Sequence, residues 1–141
     1  MKQLFLIILF IGVYTVGFAQ DTLQVKKDTI PVIPTPNEPY IYFQSKEYNF
    51  GNIKMGKAIS QVYEFTNTGK KPLKIKAVQT GCDCTTVIWE KTVIEPEQKG
   101  KITVVYLPKP NQTGEQKKVI LVISNGVNKE ELLYFKGTVE P

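Results

Sequence analysis

The 141-residue chain contains no histidine, and all 18 of its basic residues are lysines, so arginine is missing as well. Without an imidazole there is no Ser-His-Asp or Cys-His nucleophile and no side-chain proton shuttle at neutral pH. Without a guanidinium there is no planar fork for phosphates or base edges, so the net charge of +5 reads as a solvated lysine surface rather than a nucleic-acid site. Cysteine is almost absent too: Cys82 and Cys84 are the only two. Two thiols are half of what a tetrahedral zinc site needs, and no metal or cofactor is expected. Sustained helical periodicity is also missing beyond residue 40.

What is present begins with a leader. Lys2 precedes an apolar run from Leu4 to Phe18, and Gly17-Phe18-Ala19 puts small residues where a signal peptidase reads them. The pattern predicts a secretory signal over residues 1–19, cleaved before Gln20. The run is short against the roughly 20 apolar residues a span requires, so no stable membrane span is expected after cleavage; an uncleaved anchor is the alternative. No cysteine stands near the cleavage point to carry a lipid. These features predict export, to the periplasm or cell envelope of a Gram-negative bacterium or to the outside. Residues 20–39 hold Pro31, Pro34, Pro36 and Pro39 and read as a Pro-rich tether. Within it, Asp21-Thr22-Leu23 and Asp28-Thr29-Ile30 have the form of bacterial O-glycosylation sites at Thr22 and Thr29, although chance accounts for them equally well. Asn111-Gln112-Thr113 is an N-glycosylation sequon that counts only in a eukaryotic host.

Residues 40–141 are one domain's worth of chain. Short β-branched and aromatic runs alternate with turn residues: Tyr40–Phe43, Tyr48–Phe50, Ile59–Asn67, Pro72–Thr80, Thr85–Trp89, Lys101–Leu107, Lys118–Ser124 and Leu132–Val139. Strand alternation puts Leu73, Ile75 and Ala77 on one face, Ile102, Val104 and Tyr106 on another, then Val119, Leu121 and Ile123, then Leu133, Phe135 and Val139. Seven to eight such strands predict an all-β, immunoglobulin-like antiparallel sandwich, with a closed barrel as the alternative. Trp89, the single tryptophan, is expected to fill space between the sheets.

A more specific pattern runs through these strands. Tyr48-Asn49-Phe50-Gly51-Asn52-Ile53 leads to Phe65-Thr66-Asn67-Thr68-Gly69, Pro72-Leu73-Lys74-Ile75, Val78, Cys82-Asp83-Cys84-Thr85-Thr86 and Ile94-Glu95-Pro96. This combination resembles bacterial exported domain-of-unknown-function family 1573, grouped with Hydin-like and PapD-like immunoglobulin-type domains. The resemblance covers nearly all of residues 40–139 and implies that sandwich. Two positions depart from it: Asp83 stands where the family usually has glycine, and Pro96-Glu97 where it often has Pro-Gly. Asn67, Thr68 and Gly69 are the turn motif, with Asn67 and Gly69 expected to supply turn and positive-φ conformations. Gly51 is expected to permit a bend.

The loop Gly81, Cys82, Asp83, Cys84, Thr85, Thr86 carries the distinctive chemistry. In a straight strand Cys82 and Cys84 would have Cα atoms about 6.6 Å apart, at the edge of the roughly 4.4–6.8 Å a disulfide accepts. A bond therefore requires a bend at Asp83, one of the few residue types that tolerate the left-handed conformation. Three readings stay open: a small structural disulfide, a redox or exchange site, and a soft-metal site for Cu(I) using both thiolates and Met55. Asp83 and the lack of a nearby cation in the sequence count against low thiol pKa values. Glu95 and Glu97 flank Pro96 in a turn and pair with nothing. The function expected is a non-enzymatic exported module that binds an envelope or extracellular protein through sheet edges or loops. The alternative is an envelope thiol-redox protein.

Overall fold

The computed structural model describes residues 37–141, all within the unit Ile33–Pro141. The signal 1–19, most of the tether, Thr22 and Thr29 lie outside the described residues. Eight strands follow in order: β1 (Ile41–Phe43), β2 (Glu47–Lys54), β3 (Ile59–Asn67), β4 (Ile75–Thr80), β5 (Thr85–Trp89), β6 (Lys99–Tyr106), β7 (Gly114–Ser124) and β8 (Glu130–Glu140). They form two four-stranded sheets, ordered β1-β3-β6-β5 and β2-β8-β7-β4. This is the all-β, immunoglobulin-like sandwich expected from the sequence, with four free edges rather than a closed barrel.

The first sheet is antiparallel throughout. The second departs from that expectation, because β2 runs parallel to β8. The link between β1 and β2 is Gln44–Lys46. It shifts the chain sideways from the first sheet to the facing one without changing its direction.

Inward residues of β6, β7 and β8 make the floor and ceiling of the core. Ile102, Val104, Tyr106, Ile120, Val122, Leu133, Phe135 and Val139 are all at most 1% exposed. Each buried aliphatic side chain of this kind is worth about 1.5–3 kcal/mol. Phe50 seals the cluster, with its ring centroid 5.1 Å from Phe135 and 5.8 Å from Tyr106. It is aimed inward by a bulge in β2 between Asn49 and Asn52, where Gly51 takes φ 67°. The extra residue lets both Phe50 and Ile53 face the core, which strict alternation forbids.

Three expected side-chain directions are corrected. In β4 a bulge between Ile75 and Ala77 turns Val78 inward and leaves Ala77 on the outer face. In β7 the buried residues are Ile120 and Val122, whereas Val119, Leu121 and Ile123 face outward. The run is apolar on both faces, so only pairing of Ile120 with Leu133 decides which face is core. Trp89 is half-buried at the margin of the core, with the Lys91 ammonium 3.2 Å from its ring centroid, and Tyr106 and Phe135 occupy the centre instead.

The Asn-Thr-Gly turn is held by a buried polar hub. Asn67 is fully buried, yet its side chain makes four hydrogen bonds. Nδ2 donates to the carbonyls of Lys71 and Ile94, both at 2.9 Å, and Oδ1 accepts from the N–H groups of Gly69 at 3.1 Å and Tyr40 at 3.3 Å. Gly69 does not use a positive φ, contrary to expectation. It is required for close approach, since a Cβ there would stand 2.1 Å from the Glu38 carbonyl oxygen. Thr68 donates its N–H to the Tyr40 carbonyl at 3.0 Å. The end of the tether is thereby docked, with the Val127 N–H bonded to the Pro39 carbonyl at 2.9 Å.

Pro96-Glu97 forms the centre of a turn closed by the Gln98 N–H on the Glu95 carbonyl at 3.0 Å. Glu97 there has φ 66°, alone among the non-glycine residues described. Pro followed by a positive φ is the type II arrangement, and glycine is the residue that suits its third position. The left-handed conformation costs an L-residue about 1–2 kcal/mol, from which glycine's own entropy loss of about 0.5–1 kcal/mol must be subtracted. Glu97→Gly should therefore raise stability by about 0.5–1 kcal/mol in urea unfolding. Asn67→Ala should lower it by at least about 3 kcal/mol, because several backbone groups lose their partner together. A melting point reduced by less than roughly 10 °C would show that water replaces the hub.

Candidate functional site

The Cys-Asp-Cys loop is one of the links at which the chain changes sheets. β4 is an edge of the second sheet and β5 an edge of the first, and residues 81–84 join them. Cys82 and Cys84 are bonded, with Cα atoms 5.3 Å apart, shorter than an extended strand allows. The Thr85 N–H reaches the Cys82 carbonyl at 3.4 Å, and the Thr80 hydroxyl shares its one proton between the carbonyls of Cys82 at 3.1 Å and Thr85 at 3.3 Å. Asp83 is not left-handed, so the bend comes from this turn and not from the conformation anticipated for aspartate.

The two sulfurs have different surroundings. Cys84 is 5% exposed and packs into the core, while Cys82 is half-buried. Thr85 Oγ1 stands 3.6 Å from each sulfur. Gln112, in the loop between β6 and β7, donates from Nε2 to Cys84 Sγ at 3.4 Å. Its Oε1 accepts the Lys109 N–H at 3.0 Å, which sets which end of the amide meets the sulfur. The same loop is anchored by the Leu107 N–H on the Cys84 carbonyl at 2.9 Å.

Asp83 projects into solvent and pairs with Lys109, Nζ to Oδ2 at 2.5 Å. The hydrogen bond from Lys109, then its charge, holds the Asp83 carboxyl below its ordinary value of 3.8. On the Cys82 side lies an open hollow of about 300 Å³ lined by Thr80, Gly81, Cys82, Thr85, Lys117, Lys118 and Val119. Lys118 is partly buried there, its ammonium 5.1 Å from the Tyr106 ring centroid, and burial pushes its pKa down. Thr86 is exposed on the outer face of the first sheet.

Sequence reasoning identified the cysteines and their loop but missed Lys109, Gln112, Lys117 and Lys118. They stand 25 or more residues along the chain and arrive only through the β6–β7 loop and β7; no local spacing marks them. Met55 is not brought to the sulfurs. It follows β2, at the far edge of the second sheet from β4, three strand spacings or about 14 Å across. Among the described residues no group of three or more Cys, Asp or Glu side chains is placed to hold a metal ion.

Residues 41–139 match the family described as protein of unknown function DUF1573. The chain belongs to this family. No curated protein matches the sequence. Among solved structures, this DUF1573 domain is similar to a protein of unknown function from Porphyromonas gingivalis W83, with TM-score 0.65 and 18% identity over 78% of the chain. The chain spans about half of that protein, 51% of its length. It is also similar to the ASH/PapD-like domain 7 of human CEP192, with TM-score 0.61 and 11% identity, covering 77% of this chain and 90% of that one. The secreted serine protease VesC of Vibrio cholerae matches at TM-score 0.55 and 10% identity, over 70% of this chain and 23% of the protease. At these identities the likeness is one of fold.

The Asp83–Lys109 pair has a defined pH sense. A depressed carboxyl pKa stabilises the folded state above the unfolded value, near 3.8, and that contribution is lost as pH falls through the folded value. Lys109→Gln should move the Asp83 titration upward toward 3.8 in carboxyl-carbon NMR. An unchanged midpoint would mean that the pair does not form in solution.

Proposed function

We propose that this DUF1573 domain is an exported, non-catalytic module of the bacterial cell envelope that takes an extended segment of a partner protein along the free edge of β5. The observation that carries this reading is the regularity of that edge. β1 has only three residues, and β2 and β4 are each interrupted by a bulge. β4 also carries Lys76 at its break and follows Lys74. Short strands, bulges and lysines are the devices that keep sheet edges from pairing with other chains. β5, at five residues, has neither a bulge nor a lysine. Thr85-Thr86-Val87-Ile88-Trp89 consists of β-favouring residues in unbroken register with β6.

The free backbone groups follow from the ladder. The Leu107 N–H to Cys84 carbonyl bond makes those two a hydrogen-bonded pair. Alternation then gives Thr86 and Ile88 to β6 and directs the N–H and C=O of Val87 and Trp89 away from it. An added strand would bond to these groups and lay a side chain beside Ile88, which is 62% exposed. The outward apolar residues Leu121 and Leu132 on the second sheet are a competing surface. The likeness to a PapD-like domain and the predicted signal support the reading as to fold and compartment.

Proline separates binding from folding here. At Val87 it removes an N–H that faces away from β6, which an edge strand tolerates; at Thr86 it removes a ladder bond. Val87→Pro should keep the melting point within about 5 °C and reduce partner capture about tenfold or more, while Thr86→Pro should destabilise the domain outright. Capture is read with a photo-crosslinker at Ile88 in intact envelopes. Undiminished capture by Val87→Pro, or crosslinks from Leu132 in place of Ile88, would overturn the edge reading.

A further inference from the structure

We propose that the Cys82–Cys84 disulfide is a thiol-exchange site of fixed polarity: a cysteine thiolate of a peptide or protein substrate attacks Cys82, and Cys84 leaves. This goes beyond the binding role and does not depend on it. Access supplies the first argument. Exchange needs a thiolate to approach the attacked sulfur from the side opposite its partner. Cys84 is 5% exposed and backed by the core, whereas Cys82 opens onto the hollow of about 300 Å³ beneath β7.

Charge supplies the second. The hollow is lined by the partly buried Lys118, whose charge favours an incoming anion; Lys117 contributes its stem, its ammonium lying 4.8 Å from the Tyr134 ring centroid. Asp83, which would repel it, is paired with Lys109. The objection that aspartate between the cysteines disfavours thiolates is weakened by a cation 26 residues away in sequence and in contact in space.

The leaving group supplies the third. Burial disfavours a thiolate at Cys84, but the Gln112 amide N–H points at its sulfur from 3.4 Å, and the Thr85 hydroxyl stands 3.6 Å away. The Thr85 hydroxyl is equally near Cys82, so the Gln112 donor alone distinguishes the sulfurs; its hydrogen bond to the charged form offsets desolvation and makes Cys84 the better leaving group. The loop closed by the bond is so short that opening it releases little chain entropy, so the sandwich persists in both redox states.

The balance is that of a two-electron exchange. The substrate thiolate forms a bond to Cys82 Sγ as the Cys82–Cys84 bond breaks, and the pair of electrons from that bond stays on Cys84, which then takes a proton from water. A second thiolate of the substrate attacks its own sulfur in the mixed disulfide. Cys82 leaves as thiolate, and the substrate departs oxidised.

The test uses the full exported chain, oxidised, with reduced glutathione as the attacking thiol. After acid quench and alkylation, peptide mapping should find glutathione on Cys82 and the alkyl group on Cys84. Gln112→Glu keeps an oxygen to accept the Lys109 N–H but removes the donor to the sulfur. It should slow opening about tenfold or more with an unchanged melting point. Opening should also be faster than in the free peptide spanning residues 81–86. Glutathione on Cys84, an unchanged rate in Gln112→Glu, or a rate no greater than the peptide's would each overturn the proposal.

Discussion

The chain must cross between its two sheets at both sides of the sandwich, and it does so with very short links. Of the five links that change sheet among the described residues, 44–46 lies at the β1–β2 margin and 81–84 at the β4–β5 margin. Neither link is long enough to span a sheet, so each joins an edge strand to the edge directly facing it; residues 44–46 keep the direction of the chain and residues 81–84 reverse it. With these two links go the parallel pairing of β2 with β8 and the position of the cysteines on a corner. The disulfide is a feature of that corner and does not hold distant parts of the domain together.

The corner also sets what lies beside the cysteines. β5 starts where the crossing ends, so its open edge and the disulfide are neighbours by construction. The β6–β7 loop passes over the same corner because β6 pairs with β5 and β7 with β4. That brings Lys109 and Gln112 to Asp83 and Cys84. At the opposite end of the sandwich, Asn67 gathers the backbone of residues 40, 69, 71 and 94. Its own backbone bonds Gln98 and Glu97. The left-handed Glu97 is sustained in this setting, because both its turn and its link to Asn67 are in place.

Much of this architecture was readable in advance, and the failures share a cause. β3 and β5 have the boundaries read from β-branched runs, and the inward sets of β6 and β8 were assigned correctly because their opposite faces are polar or mixed. β7 was misread because Val119-Ile120-Leu121-Val122-Ile123 is apolar on both faces, so alternation carries no sign. β4 was misread at Ala77 because a one-residue bulge shifts the phase, and nothing local announces it. The turn glycine Gly69 was recognised as necessary for the wrong reason: the segment that approaches it, Glu38 to Tyr40, is distant in sequence.

By itself the sequence determined that the domain is an all-β sandwich and that chemistry depending on histidine or arginine is closed to it. It also placed any distinctive reactivity in residues 81–86. These properties follow from composition and from periods of a few residues, which a single strand or turn satisfies alone. Tertiary structure decided the rest: which face of β7 is buried, which edge stays open, and that two adjacent cysteines differ in exposure and partners. The lysine-only composition illustrates the division. As a count it pointed to nothing beyond a solvated surface, yet Lys109 neutralises Asp83, and Lys117 and Lys118 line the hollow at Cys82. An electrostatic contact depends on distance in space, and in a sandwich of eight strands that distance is set by pairing between segments far apart in the chain.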